Sequence, residues 1–338
     1  MRILIYSPAF YPSVGGIETL VEILAQEFVR QGHEVKLVSQ VPAIDSKIFS
    51  FEVVRRPAPS KLLALTNWCE VFFQPHMSLK GAWPLLIKNR PWVVAHNAWY
   101  TRSDGSMGWQ HHLKHFAARF ATGISVSHAV AAHVSTPSKV IPNTYREDVF
   151  FRMPEISRDK ELVFLGRLVS SKGADLLVRA LARLKERGLA PQLTVIGGGP
   201  EEQGLRQMSV DLGIADQMEF VGVKTDRELA AILNAHKILV VPSRWQEPFG
   251  IVALEGIACG CVIVGSEGGG LKDAIGACGV TFPNGDVETL TDALADLLAR
   301  PNKLVDFRAN AEAHLSRHKT ADVARAYLQV FEIAAQRN

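Results

Sequence analysis

Two glutamates, Glu247 and Glu255, stand eight residues apart in the stretch PSRWQEPFGIVALEGIACG, which runs from Pro242 to Gly260. A β-branched strand is predicted over Ile238 to Val241, and the following proline ends it because proline lacks the N–H that strand pairing needs. A helix is predicted from Phe249 or Gly250 to Gly260, since glycine readily adopts the left-handed conformation that closes many helices. The two acids therefore flank a helix N-terminus.

Such a helix start can bind a hydroxyl-rich anionic ligand. The first N–H groups of a helix have no partners inside it, so they can donate to a phosphate or sugar oxygen. Glu255 follows Ile251 by four residues and should face the same side, about one turn into the helix. Glu247 would then accept hydrogen bonds from hydroxyls at the helix mouth and Glu255 from hydroxyls further along. The residues alone also allow both to be solvated surface acids.

Arg167 and Lys172 form a second candidate site, in the sequence GRLVSSKG after a strand predicted over Leu162 to Leu165. Two cations at a strand-to-helix turn can neutralise a diphosphate and stabilise it as a leaving group. Gly15 and Gly16 end a loop that begins at Ser7, and their backbone can approach a phosphate without an intervening side chain. Surface charge and ordinary turns are the simpler alternatives for these two features.

His96 is a further candidate because it follows a strand predicted over Trp92 to Ala95, in the sequence VVAHNAWY. Open α/β sheets bind ligands at the carboxyl ends of their strands. From this position alone, a structural histidine that is hydrogen bonded within its loop is the simpler interpretation.

The whole chain alternates short apolar strands with amphipathic helices, which predicts parallel α/β sheets. Its 338 residues fit two domains. We predict residues 1–150 as a first domain, residues 151–318 as a second, and residues 319–338 as a helix that crosses back to the first. The linker is predicted within the polar stretch 142–158. Further predicted strands are Arg2–Tyr6, Glu34–Ser39, Phe51–Arg55, Glu70–Phe73, Ile124–Val126, Lys139–Ile141, Leu193–Ile196, Phe220–Val223 and Val262–Val264. Helices are predicted over Val287–Arg300, Leu304–Ser316 and Ala321–Gln336.

Composition narrows the class of protein. Residues 1–155 carry 16 Lys and Arg against 11 Asp and Glu. This basic bias suits an anionic membrane surface or acceptor, and a scattered solvated surface is the simpler alternative. No apolar run reaches the roughly 18 residues of a spanning helix, and no secretory segment is evident, so we expect a cytoplasmic protein. The four cysteines have no zinc-ligand spacing, and no Asp-x-Asp motif is present, so neither a metal nor a cofactor is expected.

These motifs together resemble the family 4 retaining glycosyltransferases, whose two Rossmann-like domains face each other across a cleft in the GT-B fold. The resemblance covers nearly the whole chain. It implies catalytic roles for His96, Arg167, Lys172 and Glu247. It implies that the donor diphosphate and sugar contact Gly15, Gly16, Arg167, Lys172, Glu247, Phe249, Gly250 and Ile251. It also implies that the nucleoside contacts Val223 and Glu255.

The function that the resemblance implies is transfer of a hexose from a nucleotide-sugar, expected to be a UDP-sugar, to a hydroxyl of a glycan, a lipid-linked or a small-molecule acceptor. The anomeric configuration would be retained, and the enzyme would work in the cytoplasm or at the inner face of the membrane. Leu271 and Lys272 depart from the family's usual Pro-Glu, and Asn143 to Arg146 depart from its usual Asn-Gly-Val-Asp.

Other functions stay open on this sequence. A two-domain sugar-nucleotide epimerase would form product without an acceptor, and a non-catalytic nucleotide-sugar-binding regulator would show neither transfer nor hydrolysis. A nicotinamide dehydrogenase is disfavoured, because the glycine spacing does not fit the G-x-G-x-x-G fingerprint.

Overall fold

The computed structural model describes residues 1–13, 15–43, 47–101, 105–134 and 136–337. Val14, in the predicted loop before Gly15, and Asn338, at the end of the predicted last segment, lie outside the described residues. The chain divides into two compact units: a first unit of Met1–Thr144 with His318–Asn338, and a second unit of Tyr145–Arg317. The predicted linker stretch thus belongs largely to the second unit, where Val149, Phe150 and Met153 are buried.

Each unit contains one fully parallel sheet within the described residues. The strands of the first sheet are β1 (Arg2–Tyr6), β2 (Glu34–Ser39), β3 (Glu52–Arg55), β4 (Val71–Gln74), β5 (Trp92–His96), β6 (Thr122–Ser125) and β7 (Ser138–Val140). Those of the second sheet are β8 (Lys160–Leu165), β9 (Leu193–Ile196), β10 (Met218–Gly222), β11 (His236–Val241), β12 (Val262–Ser266) and β13 (Gly279–Phe282).

The strand orders are β3-β2-β1-β4-β5-β6-β7 and β10-β9-β8-β11-β12-β13. In each sheet the first strand in the chain is central. The second and third strands lie on one side of it, and the fourth lies directly on its other side. This is the doubly wound order of Rossmann-like folds, in which crossover helices cover both faces and the strands are buried apolar runs.

The helices within the described residues are, in chain order, α1 (Gly16–Arg30), α2 (Pro59–Trp68), α3 (Leu79–Ala82), α4 (Trp109–Ala118), α5 (His128–His133), α6 (Ala174–Glu186), α7 (Glu202–Asp211), α8 (Asp226–Ala235), α9 (Ile251–Ala258), α10 (Leu271–Ile275), α11 (Val287–Ala299), α12 (Pro301–Ala309), α13 (Ala311–Leu315) and α14 (Thr320–Gln336). None of the described helices is both long and apolar enough to cross a membrane.

Helix α14 packs in the core of the first unit, although it lies at the end of the chain. The rings of Phe28 on α1 and Phe331 on α14 have centroids 5.5 Å apart, and those of Phe73 on β4 and Tyr327 are 5.7 Å apart. All four side chains are buried. Aromatic burial of this kind contributes beyond the apolar area that it removes from water, so the last helix is an integral part of this unit.

The strand bounds agree with the sequence-based prediction to within a few residues, but two elements differ. Strand β13 was not predicted, because Gly279 and the short run after it carry little apolar signal. The helix expected over residues 304–316 is two helices, α12 and α13, separated at Asn310. The Asn310 side chain donates to the carbonyls of Ala277 and Asp306, and such side-chain bonds compete with helix continuation.

Candidate functional site

The chain reverses direction in the second sheet between β8 and β11, which are adjacent parallel strands. Strand β8 is followed by a connection to β9 on one side, and β11 by a connection to β12 on the other. Loops at such a switch point diverge and leave a crevice at the carboxyl ends of the strands, where ligands of this fold bind. The loop after β8 carries Arg167 and Lys172, and the loop after β11 carries Glu247.

Backbone contacts hold these two loops together. The carbonyl of Ser171 accepts hydrogen bonds from the N–H groups of Arg244 and Trp245 at 3.0 and 3.2 Å. Gly173 has a φ of +66°, and a Cβ at this position would lie 2.0 Å from the carbonyl oxygen of Pro242. Only glycine fits both the left-handed backbone and the close approach, so the position of Lys172 depends on the residue that follows it.

Lys172 and Glu247 form an ion pair across these loops. The Lys172 ammonium donates to Glu247 Oε1 at 2.6 Å, and the Ser243 hydroxyl donates to the same oxygen at 2.7 Å. Their side chains are 30% and 12% exposed, respectively. The second carboxylate oxygen, Oε2, receives no hydrogen bond from the residues that the structure describes, so Glu247 keeps acceptor capacity for a ligand hydroxyl.

A third loop, after β12, supports Glu247 from the other side. The N–H of Gly270 donates to the carbonyl of Glu247 at 2.7 Å. Asn284 accepts from the N–H of Gly268 at 2.7 Å and donates to the carbonyl of Ser243 at 3.1 Å. Sequence reasoning missed Ser243 and Asn284 as supports of this site. The available signals were a hydroxyl directly after the strand-ending proline and an asparagine in a Pro-Asn-Gly turn.

Arg167 is exposed, and no residue in the described ranges forms a hydrogen bond or ion pair with its guanidinium. Its backbone is fixed by the glycine turn after β9, because Leu168 N–H donates to the Gly198 carbonyl at 2.9 Å and Glu201 N–H to the Leu168 carbonyl at 3.1 Å. An exposed cation on a fixed backbone can bind an anion without first breaking an internal ion pair.

Helix α9 begins at Ile251, and Gly250 caps it with a φ of +103° and no side-chain hydrogen bond. The N–H groups of its first turn are therefore free of a side-chain cap and can donate to an oxyanion. Ile251 is partly exposed, whereas the side chain of Phe249 is buried. Phe249 thus packs within the unit, and only its backbone can contribute to binding in this arrangement.

Glu255 lies one turn along α9, and the pKa of its carboxyl differs from the ordinary value. Burial raises the pKa of its carboxyl to about 7, although the positive charge of Arg146 acts in the opposite direction. Within the described ranges, no group donates a hydrogen bond to this carboxylate. Val223, the other predicted nucleoside contact, is 72% exposed and lies beside the glycine turn after β9. A desolvated carboxyl with unfilled acceptor sites is suited to binding hydroxyls.

The remaining predicted residues belong to the first unit. Gly15 is the N-cap of α1, and Gly16 is its first residue. His96 ends β5, where its ring is buried and its Nδ1 lies 2.5 Å from the hydroxyl of Tyr100. Burial, with a smaller contribution from His115, lowers the pKa of His96 to about 4. The imidazole is therefore neutral near pH 7, as expected of a hydrogen-bonded structural histidine.

The structure thus brings together Lys172 and Glu247 directly, with Arg167 and the start of α9 on loops at the same edge of the second sheet. His96, Gly15 and Gly16 lie in the other unit. Among the described residues, no group of three or more His, Cys, Asp or Glu side chains is arranged to hold a metal ion.

Comparison with known proteins identifies a family that matches half of the chain. The family described as "Glycosyl transferases group 1" matches residues 146–314. The GDP-mannose-dependent alpha-(1-6)-phosphatidylinositol monomannoside mannosyltransferase of Mycolicibacterium smegmatis is 36% identical over 169 residues, which are 48% of this chain and 43% of that protein. The D-inositol 3-phosphate glycosyltransferase of Saccharomonospora viridis is 35% identical over 184 residues, 51% of this chain and 42% of that protein. The chain matches less than half the length of these two relatives.

Similarity to solved structures extends over both units. HepE from Anabaena, in complex with UDP and glucose, has a TM-score of 0.83 at 19% identity, covering 98% of this chain and all of that one. Sucrose-phosphate synthase from Thermosynechococcus elongatus has a TM-score of 0.82 at 18% identity, with both chains covered in full. At this identity the likeness concerns the fold, and it confirms the predicted class of two Rossmann-like α/β units, the GT-B fold.

Proposed function

The chain belongs to the group 1 glycosyl transferases, and we propose that it is a retaining enzyme that transfers a hexose from a nucleotide-sugar to an acceptor hydroxyl. The observation that carries this proposal is the grouping of Arg167, Lys172 and Glu247 at the switch point of the second sheet, beside the uncapped start of α9. Two cations, a helix N-terminus and a carboxylate provide complementary partners for a diphosphate and its sugar.

In the proposed step, the bond between the anomeric carbon and the diphosphate oxygen breaks while the acceptor oxygen bonds to the same face of that carbon. The acceptor proton passes to the departing diphosphate, so no side-chain base is required. Arg167, Lys172 and the first N–H groups of α9 stabilise the negative charge that develops on the leaving group. Glu247 orients the sugar by accepting hydrogen bonds from its hydroxyls, and Glu255 orients the ribose in the same way.

For the donor we propose a UDP-sugar first, supported by the likeness in fold to HepE, whose structure contains UDP. A relative named for GDP-mannose makes guanosine the base to test against it. For the acceptor we propose a hydroxyl of a glycan or of a lipid-linked or small-molecule compound. We also propose that the enzyme works in the cytoplasm, with the first unit in peripheral contact with the inner face of the membrane.

A thermal-shift screen of UDP- and GDP-hexoses tests the donor assignment. A ligand present at about 100 times its Kd stabilises the protein by roughly 2.7 kcal/mol, which is a clear shift in Tm. The variant Glu255→Gln is the matched control, because its shift should be smaller for the true donor. A chain that responds to no nucleotide-sugar, and transfers no hexose from any, would contradict the proposal.

We further propose that no metal takes part. Activity in the presence of EDTA should then equal activity without it. Complete loss with EDTA that Mg²⁺ or Mn²⁺ restores would refute this part of the proposal and leave the donor assignment in place.

A further inference from the structure

Helix α4 of the first unit turns its apolar side chains outward. Trp109 is 71% exposed, Phe116 55% and Phe120 70%, and Leu113 between them is 44% exposed. At about 100° per residue, the four positions fall within an arc of about 60°. Phe120 lies in the turn after the helix, and its ring centroid is 5.5 Å from that of Phe116. We call these four residues the apolar stripe.

The opposite face of α4, which packs on the unit, carries polar and titratable groups. Lys114, His115 and Ala118 are half-buried or buried there, and the Lys114 ammonium lies 5.6 Å from the centroid of the Tyr100 ring. Burial lowers the pKa of both Lys114 and His115. A helix in a water-soluble domain normally buries its apolar face. The reversed arrangement therefore indicates that the apolar stripe meets a non-aqueous partner.

A cationic cavity adjoins the end of the apolar stripe. It has a volume of about 650 Å³, is formed entirely by residues of the first unit, and contains Arg119, Lys139 and Arg337 among its lining residues. Among the described residues, no Asp or Glu lines it. Arg119 follows α4 directly and so lies between Phe116 and Phe120 in the chain. Arg119 and Ala121, which both line the cavity, flank Phe120 in the chain, so the cavity adjoins the end of the apolar stripe that Phe120 forms.

The surrounding chain is predominantly basic. Residues 71–140 contain seven Lys and Arg and a single acid, Asp104. Exposed aromatic side chains flanked by cations are the composition of segments that lie in the interface of an anionic bilayer. A protein partner would need a matching acidic surface, whereas an anionic leaflet supplies both the apolar layer and the negative charge.

We propose that the apolar stripe of α4 inserts into the headgroup region of an anionic phospholipid bilayer, and that the cavity lined by Arg119, Lys139 and Arg337 binds a lipid phosphate. This deepens the peripheral membrane contact proposed above and identifies its surface. Binding is measured without donor or acceptor, so failure of this proposal and failure of the transferase proposal are distinguishable.

Vesicle sedimentation tests the proposal with the full chain. Vesicles of phosphatidylcholine alone are compared with vesicles containing about one third phosphatidylglycerol, at low and high salt. The wild-type chain should bind the anionic vesicles and dissociate as salt increases. The double variant Phe116→Ser/Phe120→Ser should lower partitioning by about tenfold or more, because it removes two rings from the inserted face. Val305→Ser, an equally exposed apolar site on α12 of the second unit, should leave it unchanged.

The cavity is tested by Lys139→Gln and Arg337→Gln. Each should lower binding to anionic vesicles about fivefold, and neither should alter binding to phosphatidylcholine. Lys61→Gln, at an exposed site on α2 of the same unit, is the charge control. Unchanged Tm in all variants excludes unfolding. The proposal is overturned by a wild-type chain that does not bind anionic vesicles, by equal losses in the control variants, or by a dimer that the Phe116/Phe120 variant disrupts while vesicle binding persists.

Discussion

Lys172 and Glu247 meet at 2.6 Å although 75 residues separate them in sequence. The loop after β8 and the loop after β11 are neighbours because the two strands are adjacent at the switch point. The pair keeps the Lys172 ammonium at the carboxyl edge of the sheet, against the loop that precedes α9. A partly exposed ion pair adds little to stability, so its main structural effect is to hold both side chains at this edge.

The first prediction concerns the two cations. Lys172→Ala and Arg167→Ala should each lower turnover about a hundredfold, because each removes a partner of the charge that develops on the leaving diphosphate. Tm should change little, since Arg167 is exposed and Lys172 is paired only near the surface. Steady-state kinetics with Arg179→Ala, an exposed arginine on α6, provides the matched control. Full activity in both single variants would remove the diphosphate assignment.

The second prediction concerns Gly173, compared with Gly188. Both have left-handed backbones, with φ of +66° and +81°, but a Cβ at Gly188 would have no neighbour within 4 Å. Gly188→Ala should therefore cost only the backbone strain, about 1–2 kcal/mol. Gly173→Ala should cost more, because its Cβ would clash with the Pro242 carbonyl, and it should also lower activity by displacing Lys172. Denaturant titration and kinetics measure both quantities, and equal effects of the two variants would contradict the expectation.

Much of this site could be anticipated from sequence, because the signals are local. Strand-ending residues, glycine turns and helix starts identified Arg167, Lys172 and Glu247 as loop residues after parallel strands, and parallel topology places such loops at one edge. The direct pair of Lys172 with Glu247 could not be predicted, since it depends on loop register that Ser171, Gly173 and Asn284 set through backbone contacts.

Burial was the property that sequence reasoning estimated least well. The neutral, enclosed ring of His96 and the raised pKa of Glu255 both arise from packing of segments distant in the chain. The outward apolar face of α4 is a further case, because hydrophobic periodicity alone predicts that such a face is buried. The functional roles of these residues remain predictions.

The third prediction is a pH dependence carried by Glu255. Its pKa in the folded chain, about 7, lies above the ordinary value of 4.5. Stability from this group is thus fully present below about pH 4.5 and is lost as pH rises through about 7, by up to about 3 kcal/mol. Glu255→Gln should remove this loss, which urea titrations at several pH values would measure.

Nucleotide affinity should change in the opposite direction, because in the role proposed for Glu255 the ribose hydroxyls donate to its ionised carboxylate. Calorimetry with a nucleotide-sugar, whose diphosphate diester does not titrate in this range, should show tighter binding at about pH 8 than at about pH 6. In Glu255→Gln the affinity should be lower and independent of pH. An affinity that this substitution leaves unchanged would show that Glu255 does not bind the ribose.

The last prediction concerns the stereochemistry of transfer, and the state of His96 bears on it. Inversion requires a base behind the sugar to activate the acceptor, and a useful base has a pKa near the working pH. Among the residues with implied catalytic roles, His96 carries the imidazole that could serve as this base, but burial lowers its pKa to about 4 and its Nδ1 is held by Tyr100. It is therefore a poor proton acceptor, and we expect attack from the leaving-group side with retention of the donor's α configuration.

His96→Ala should reduce the rate through lost positioning rather than abolish it, and Tyr100→Phe, which removes only the hydroxyl partner, should have a smaller effect. Proton NMR of the first-formed product reads the anomeric signal directly. A β linkage formed from an α-linked donor would establish inversion and refute the proposed mechanism.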